Sequence, residues 1–576
     1  MRTPHPPTNP LAIPIRQTSA RQSVQIACAD GRIFEGPKGA TIEDFVKVAY
    51  PHNKPPIIAC MVNKQMRELT YHAYTDLEIA PITLAQSDGQ RIYRRSLSLL
   101  LVAAAESLFP NIRISIDYGL NFGAFYFRVG NHPPLTEADL KKLRAKMQQL
   151  VDANLPISKE RVSVQDAEAY FEQKGWDDKI RLLQTRRKDY LTLYTIEQTK
   201  DYMQGYMVPS TGYLNLFDVA RYGSGYILRY PRGATYNKLL PPTDYPKLVL
   251  VFNEYRRWME ALDVHDVGRL NAMINSDKLR ELVLVAEALH EQRIAQVATY
   301  IAKHGQGIRL ISLAGPSSSG KTTFSKRLAI QLRANGLRLM TIELDNFFVN
   351  RANTPLDKDG DYDYESLYAL DVALFNKVML GLINGEAVTL PRYNFHTGQR
   401  EQGQTMSIDE ETILIIEGIH GLNPELAAQI PSDRIFRVYV SALTQLNLDN
   451  HNRVPTTDIR LLRRIVRDAS HRGYTATDTI LRWPKVRQGE HKWIFPYQEN
   501  ADVLFNSALV YEASVLKSLA EPLLLQIEPG KPAHREAKRL LTFLQWFDPL
   551  PNNNIIPDNS ILREFIGGSI LRDYTP

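Results

Sequence analysis

The sequence predicts a multidomain α/β protein whose C-terminal part is a parallel sheet with helices on both faces. The chain has 576 residues, too many for one hydrophobic core, so about two to four domains are expected. From residue 308 to about 530, apolar strand-like runs alternate with helical patterns, which indicates a parallel sheet. A glycine-rich loop, GPSSSGKTT at 315–323, separates the first of these strands from the first helix.

Changes of pattern divide the chain into six predicted segments. They are an N-terminal arm (1–21), a small β-rich α+β unit (22–87), a second α+β domain (88–235), a mostly helical connector (236–303), the parallel-sheet domain (304–530) and a C-terminal tail (531–576). The arm is rich in proline and lacks the apolar core of a signal peptide. In the second domain, Thr136 and Asp139 have the spacing of a capping box at the start of an amphipathic helix.

Composition and charge favour an ordinary cytoplasmic protein. Hydrophobic residues make up 44% and charged residues 23% of the chain, as in typical globular domains. A net charge of +6 over this length does not by itself indicate nucleic-acid binding. The longest apolar run, LLLVAAA, is too short to cross a membrane, so no membrane partner is expected. Cys28 and Cys60 lie in apolar runs and are expected to be reduced core thiols.

The loop at 315–323 is predicted to bind the phosphates of ATP. Gly315, Gly320, Lys321 and Thr322 fit the pattern G-x-x-x-x-G-K-[ST]. The glycines let backbone N–H groups turn toward a phosphate, and the following helix adds the positive end of its dipole. Lys321 supplies a charge for the β- and γ-phosphates, and the Thr322 hydroxyl can hold Mg²⁺. The predicted contacts are Gly315, Pro316, Ser317, Ser318, Ser319, Gly320, Lys321, Thr322 and Thr323.

Two acids follow later strands of the predicted sheet. Ligands of such sheets bind at the carboxyl ends of the strands. Asp345 follows RLMTIEL, where it can take a proton from an attacking hydroxyl. Glu417 ends the apolar strand ETILIIEG, where a carboxylate gives a second support for Mg²⁺.

Acceptor-binding residues are predicted between these two strands. Asp363 lies in GDYDYESLYALD, and Tyr393, His396 and Arg400 lie in LPRYNFHTGQR. Aromatic and acidic side chains can grip a planar, hydroxylated substrate. Taken alone, these residues also fit an ordinary surface or core.

An arginine-rich helix follows in TTDIRLLRRIVRDASHRG. Its apolar stripe contains Leu461 and Ile465, whereas Arg460, Arg464 and Arg467 lie on another face. A helix of this kind can close over phosphates, which planar guanidinium groups bind well. A solvated basic face is the alternative, and the upstream phosphate loop favours the lid.

The motifs GPSSSGKTT, LDNFF, YNFHTGQR, LIIEGIHGL and LLRRIVRDASHRG occur in this order between residues 304 and 530. Together they resemble the uridine kinase / phosphoribulokinase family of P-loop kinases. The resemblance implies that Asp345 is the catalytic base and that Glu417 is the acid ending the later strand. It places the lid arginines at Arg464 and Arg467, with Arg472 just beyond them as a further nucleotide contact.

The same resemblance describes the acceptor side. It implies that Asp363 contacts a nucleoside substrate and that Tyr393 contacts its ring. Uridine–cytidine kinases carry a histidine two residues before the arginine of the YNFHTGQR-like segment. Here that position is Gly398 and His396 is displaced, which leaves the identity of the nucleoside open.

The N-terminal half resembles parts of threonyl-tRNA synthetase. Residues 22–87 resemble the TGS domain, a β-grasp module, through ADGRIFEGPKGATIEDF and MVNKQMRELTY. The next domain resembles the synthetase editing domain through RRSLSLLLVAAAESLFP and YMQGYMVPSTGYL. The positions of its editing residues are Arg95, Leu99, Met203 and Met207. None of these can act as an imidazole or thiolate does. A scaffold is therefore expected, although basic residues such as Arg91 and Arg94 keep an RNA contact open.

Two functions fit these observations. The first is an ATP- and Mg²⁺-dependent nucleoside kinase, with uridine or cytidine as the leading acceptor, in which Asp345 deprotonates the 5′-hydroxyl and Lys321 stabilises charge. The second is an RNA- or ribosome-associated regulatory NTPase, and a kinase of another hydroxylated metabolite also stays open. The Asp345 carboxylate favours a kinase because a water-splitting switch needs no base for a bound alcohol. The sequence assigns neither an oligomeric state nor a role for NSILREFIGGS near the C-terminus.

Overall fold

The computed structural model describes residue 17 and residues 19–233, 235–305 and 307–575. The predicted N-terminal arm therefore lies almost entirely outside the described residues. Within the described part of the chain, no helix is both long enough and apolar enough to cross a membrane.

The first domain is a mixed five-stranded sheet with one helix packed on it. Its elements are β1 (Ser23–Cys28), β2 (Ile33–Pro37), α1 (Ile42–Ala49), β3 (Ile57–Val62), β4 (Gln65–Glu68) and β5 (Leu77–Thr83). The strand order is β2-β1-β5-β3-β4, in which only β1 and β5 pair in parallel. This is the expected β-grasp arrangement, whereas its assignment as a TGS domain stays a prediction. Cys28 and Cys60 are free and buried in its core, as predicted.

The second domain contains two antiparallel sheets and a long central helix. Its elements are α2 (Ser87–Leu108), β6 (Arg113–Leu120), β7 (Ala124–Gly130), α3 (Glu137–Asp152), β8 (Ser158–Ser163), α4 (Val164–Gln173), α5 (Asp177–Leu183), β9 (Tyr190–Ile196), β10 (Thr199–Tyr202), β11 (Asp218–Tyr222) and β12 (Gly225–Arg229). The sheets have the orders β10-β9-β8 and β11-β12-β7-β6. The predicted capping box is confirmed, since Thr136 and Asp139 exchange hydrogen bonds at the start of α3.

Three helices lead from the second domain to the parallel sheet. They are α6 (Pro246–Ala261), α7 (Val267–Ile274) and α8 (Leu279–His304). The apolar residues Ile294, Val297 and Ile301 of α8 pack in the same core as the first strand of the parallel sheet. The third of these helices therefore covers one face of that sheet.

The parallel-sheet domain has the predicted architecture. Its elements are β13 (Leu310–Ala314), α9 (Lys321–Ala334), β14 (Arg338–Glu343), α10 (Val372–Ile383), β15 (Val388–Asn394), β16 (Gln399–Met406), β17 (Thr412–Gly418), β18 (Ile435–Ser441), α11 (Thr456–His471), α12 (Ala476–Trp493), β19 (Val503–Asn506) and α13 (Glu512–Leu525). The strand order is β14-β17-β13-β18-β19, and all four pairings are parallel. Helices α8 and α9 pack on one face and α10 on the other. β15 and β16 form a separate antiparallel hairpin.

The last part of the chain packs onto this domain. It contains α14 (His534–Leu544) and α15 (Arg563–Ile566). Ile561 and Phe565 share a core with Phe324 and Leu328 of α9. The segment predicted as a C-terminal tail therefore lies against the helix that follows the phosphate loop.

A buried charge cluster joins the second domain to the parallel-sheet domain. The Lys179 ammonium lies 2.7 Å from an Asp201 carboxylate oxygen and 3.0 Å from one of Asp449. His451 Nδ1 lies 2.7 Å from the other oxygen of Asp201. All four side chains are buried, so they fix the orientation of the two domains.

Candidate functional site

The phosphate loop depends on glycine at its two ends. Gly320, at one end, has φ of 84°, which lies in the left-handed region that favours glycine over most residues. Ser318, inside the loop, lies in the same region with φ of 58°. A Cβ on Gly315 would lie 2.0 Å from the backbone oxygen of Val440. The neighbouring strand therefore leaves no room for a side chain where the loop leaves β13.

The loop has unpaired polar groups of the kind that suit a phosphate. The hydroxyls of Ser318 and Ser319 are buried and have no hydrogen-bond partner among the described residues. Within the described part of the chain, the Lys321 ammonium donates only a long hydrogen bond, 3.3 Å, to the backbone oxygen of Pro316. Burial lowers the pKa of Lys321, and the nearby Glu417 and Glu564 carboxylates oppose this shift. The loop therefore fits the phosphate chain of ATP.

Thr322 and Glu417 meet at the same edge of the sheet. The Thr322 hydroxyl donates a 2.9 Å hydrogen bond to the Glu417 carboxylate. Burial raises the pKa of Glu417 to about 7, although Lys321 opposes this change. Hydroxyl and carboxylate oxygens are ligands that Mg²⁺ prefers. These two residues therefore fit a magnesium site beside the loop.

Asp345 lies just beyond the end of β14. Glu343, the last residue of that strand, pairs with Glu417 in the parallel register, so Asp345 projects at the edge where Thr322 and Glu417 meet. The Asp345 side chain remains open to solvent. Surrounding protein nevertheless raises its pKa by desolvation, while the positive charges of Lys321 and Arg472 lower it. A basic carboxylate close to the loop lysine is suited to accepting a proton.

The arginines of α11 contact the loop and share one acid. Arg464 donates to the Ser317 hydroxyl at 2.8 Å. Arg464, Arg467 and Arg472 all lie within ion-pair distance of the buried Asp468 carboxylate, at 3.3, 2.8 and 3.8 Å. The structure thus brings together the three arginines that the sequence singled out. Burial lowers the pKa of Arg464 and of Arg472.

The predicted acceptor residues differ in their surroundings. Asp363 accepts a hydrogen bond from the Glu365 backbone at 3.2 Å, and Arg400 is ion-paired with Asp371 at 2.7 Å. His396 is exposed at the tip of the β15–β16 hairpin.

Tyr393 is buried within an aromatic group. Its ring centroid lies 5.5 Å from that of Phe348 and 5.1 Å from that of Phe395. Phe348 follows Asp345 by three residues, so the aromatic group begins beside the predicted base. Tyr393 is therefore the predicted acceptor residue with the clearest ring environment.

Gly398 explains why a histidine does not stand at that position. Its φ is 69°, and an added Cβ would lie 2.7 Å from the Arg351 guanidinium. The Arg351 side chain also donates to the backbone oxygen of Phe395 at 2.7 Å. The hairpin turn is thus built around an arginine that needs glycine opposite it.

Three further residues lie near the site, and among them only Arg460 belongs to the predicted lid face. Arg460, named in the sequence only as part of a basic face, is buried and donates to the Ser317 backbone oxygen at 2.8 and 3.0 Å. Burial and the Glu490 charge raise the pKa of Glu365 to about 7. The Glu564 carboxylate accepts a 3.1 Å hydrogen bond from the Thr323 backbone N–H. Glu365 is the third acid of the stretch DYDYESLY, and this acidic and aromatic pattern could have indicated it. No local pattern indicates Glu564.

The comparisons with known proteins divide the chain in the same way as the motifs. Residues 310–512 match the model of the Phosphoribulokinase / Uridine kinase family. Threonine--tRNA ligase of Symbiobacterium thermophilum is 26% identical over 204 residues, which are 35% of this chain and 31% of that protein. Threonine--tRNA ligase of Acidithiobacillus ferrooxidans is 33% identical over 170 residues, which are 29% of this chain and 26% of that protein. The chain thus spans about a third of the length of the curated relatives it matches.

Among solved structures, a "possible uridine kinase" from Bacillus stearothermophilus is similar to this chain. The identity is 18%, the TM-score is 0.25, and the match covers 36% of this chain and 97% of that one. The family match and the ligase similarity together cover the two halves in which the motifs were found. Residues 310–512 therefore form a domain of the Phosphoribulokinase / Uridine kinase family, joined to an N-terminal region similar to threonine--tRNA ligases.

Proposed function

We propose that the protein is an ATP- and Mg²⁺-dependent kinase that transfers the γ-phosphate to the 5′-hydroxyl of a nucleoside, with uridine or cytidine as the leading acceptors. The observation that carries the proposal is the position of Asp345, beside Lys321 and at the same sheet edge as the Thr322–Glu417 pair. The site thus combines a base, a phosphate-binding lysine and oxygen ligands for a metal ion. A phosphoryl transfer to an alcohol needs all three.

The phosphate loop, the start of α9 and Glu417 would bind different parts of the nucleotide and its metal ion. The Ser318 and Ser319 hydroxyls and the backbone N–H groups that open α9 would hold the phosphates. Thr322 and Glu417 would hold the metal ion. When bound, ATP supplies the phosphoryl group and Mg²⁺ neutralises part of its charge.

The remaining steps belong to side chains of the protein. Asp345 takes the proton from the acceptor hydroxyl, and its raised pKa makes it a stronger base than an ordinary aspartate. Arg464 donates a hydrogen bond to the Ser317 hydroxyl and forms an ion pair with Asp468. Its guanidinium is therefore fixed beside the loop before any substrate arrives, and such preorganised charge stabilises a developing negative charge.

The acceptor is inferred from the aromatic group beside Asp345. Phe348, Tyr393 and Phe395 form mutual ring contacts, and the Phe395 ring is 59% exposed. An exposed ring at this place can stack on a planar base. The resemblance of the motifs to uridine kinases supports the same substrate class. The displaced His396 leaves other nucleosides as outcomes of the test, and a kinase of another hydroxylated metabolite as the alternative.

A phosphorylation assay tests this function directly. Labelled ATP and Mg²⁺ are incubated with a panel of ribo- and deoxyribonucleosides, using the wild-type chain, Asp345→Asn and the exposed control Asp433→Asn. We expect a nucleoside monophosphate from the wild type and the control, with at least a hundredfold lower kcat in Asp345→Asn. Phosphate release without any phosphorylated nucleoside would refute the nucleoside kinase. If RNA then stimulated that release, the regulatory NTPase would replace it.

A further inference from the structure

A large basic cavity lies between the second domain and the parallel-sheet domain, away from Asp345. Its volume is about 850 Å³, within the range of about 300–1,000 Å³ that is usual for small-molecule sites. Twelve lysine and arginine side chains line it, against two aspartates. Strands β6 and β7 and helix α2 contribute one wall, β18, α11, α12 and α14 contribute others, and β4 of the first domain also borders the cavity.

Some of these cations are neutralised by neighbouring acids. Arg91 pairs with Asp88 and Glu536, and Arg539 pairs with Asp458 and Glu536. Arg460 and Arg487 share Glu490. These ion pairs stabilise the walls of the cavity. They do not neutralise the other cations that line it.

Arg67 and four further arginines of the cavity lack such partners. Among the described residues, no carboxylate lies within ion-pair distance of Arg94, Arg95, Arg232 or Arg453, although each lines the cavity. They make hydrogen bonds to backbone oxygens instead, such as that from Arg95 to Tyr206 at 2.7 Å. A guanidinium has five N–H donors, so most of its donors stay available to a ligand.

The fold positions these guanidinium groups on aromatic and glycine surfaces. Arg453 lies 4.9 Å from the ring centroid of Phe125, and Arg94 lies 5.4 Å from that of Tyr230. Gly205 has φ of 118°, and a Cβ there would lie 2.8 Å from the Arg95 guanidinium. Rings and glycines fix the direction of a guanidinium without neutralising its charge. The groups are therefore held in place as charged donors.

Gathering these cations in one place is unfavourable for the protein by itself. Burial, together with the neighbouring positive charge of Arg94, lowers the pKa of Arg95 and of Arg453 to about 10. Like charges brought together in a partly desolvated cavity repel each other. An anion with several charges would remove this repulsion, whereas a neutral ligand would not.

We propose that this cavity is a second binding site of the protein, for a small phosphorylated ligand with at least two phosphate groups. Arginine is suited to phosphate because its planar donors form paired hydrogen bonds. Clusters of several guanidinium groups match a di- or triphosphate better than a single charge. The proposal does not depend on the kinase activity, because the cavity residues are distinct from Asp345 and Lys321.

The inactivated site of an editing-like domain would thus have acquired another ligand. Arg95 and Met203, which stand where the editing residues are expected, both line the cavity. Arg91 and Arg94, which kept an RNA contact open in the sequence, line it as well. Helices α11 and α14 border the cavity, and its volume of about 850 Å³ suits a small molecule better than a folded RNA.

Binding of inorganic pyrophosphate tests the proposal. All titrations are made by isothermal calorimetry at low salt. They use the full-length chain carrying Lys321→Ala, which weakens phosphate binding at the phosphate loop. Arg94→Gln and Arg453→Gln are compared in this background with Arg280→Gln, an exposed arginine of α8. We expect pyrophosphate to bind, each cavity variant to weaken it about tenfold or more, and Arg280→Gln to leave it unchanged. Added salt should weaken it as well.

Thermal unfolding without ligand shows whether the variants are folded. Removing one of several mutually repelling cations should leave the melting temperature unchanged or raise it. Absence of pyrophosphate binding, or equal binding in all variants, would overturn the proposal. Binding of a single-stranded RNA oligonucleotide that depends on Arg94 and Arg453, without binding of pyrophosphate, would overturn it in favour of an RNA site.

Discussion

The contact between Glu564 and the phosphate loop predicts that the C-terminal segment weakens nucleotide binding. Thr323 is the third residue of α9, and its N–H is one of the donors left free at the start of a helix. A phosphate bound at this helix end would use these donors. Glu564 already accepts from the Thr323 N–H at 3.1 Å, so the nucleotide has to displace a carboxylate of its own charge sign.

The size of the effect follows from this single contact. A hydrogen bond from a backbone N–H to a charged acceptor contributes about 1.5–3 kcal/mol, and a neutral acceptor about half as much. Glu564→Gln keeps the shape of the side chain and removes its charge. We therefore expect nucleotide binding to become more favourable by about 0.7–1.5 kcal/mol, which lowers the Kd about 3- to 13-fold.

Equilibrium titration with a fluorescent ATP analogue measures this change. Asp558→Asn is the matched control, because it removes one negative charge from an exposed position in the same segment. Without nucleotide, Glu564→Gln should melt at a slightly lower temperature, since a carboxylate at a helix N-terminus stabilises it by about 0.3–1 kcal/mol. Unchanged or weaker nucleotide binding in Glu564→Gln would refute the reasoning.

Three further changes test the site, its electrostatics and the domain junction. Gly315→Ala should abolish nucleotide binding in the same titration, because its Cβ would lie 2.0 Å from the Val440 backbone oxygen; the exposed control Ser432→Ala should bind normally. The Glu365 carboxyl keeps its proton up to about pH 7 when folded but only to about 4.5 when unfolded, so wild-type stability should fall across that interval. Denaturant unfolding at several pH values should show that the free energy of unfolding of Glu365→Gln rises relative to that of the wild type, by up to about 3 kcal/mol at pH 8. A difference that does not change with pH would contradict this. Lys179→Met leaves the buried Asp201 and Asp449 without their cation and should destabilise the chain by about 3–5 kcal/mol, whereas the exposed Lys141→Met should melt like the wild type.

The sequence predicted the parts of the molecule that depend on local chemistry. The capping box at Thr136 and the strand, loop and helix around Gly315 follow from residues within a few positions of each other. The position of Asp345 and Glu417 at the same edge of the sheet was also predictable, because parallel strands end at one edge of a sheet.

Contacts between distant segments were beyond such patterns. Glu564 meets Thr323 across 241 positions, and the short helix that carries it has no signature of a nucleotide contact. Arg400 matched a binding motif, yet Asp371 holds its guanidinium in an ion pair. Which arginine is paired and which is available depends on tertiary packing, and no spacing rule contains that information.

Arg460 links the basic cavity to the phosphate loop. It lines the cavity and also donates to the Ser317 backbone oxygen, while it shares Glu490 with Arg487 of the cavity wall. A ligand that drew Arg487 away from Glu490 would change the partners of Arg460, and through them the position of Ser317. Because linkage is reciprocal, nucleotide in the loop should then alter pyrophosphate affinity in the cavity by the same factor. The N-terminal domains would in that case act on the kinase through one buried guanidinium rather than through a movement of whole domains, which the buried Lys179 cluster opposes.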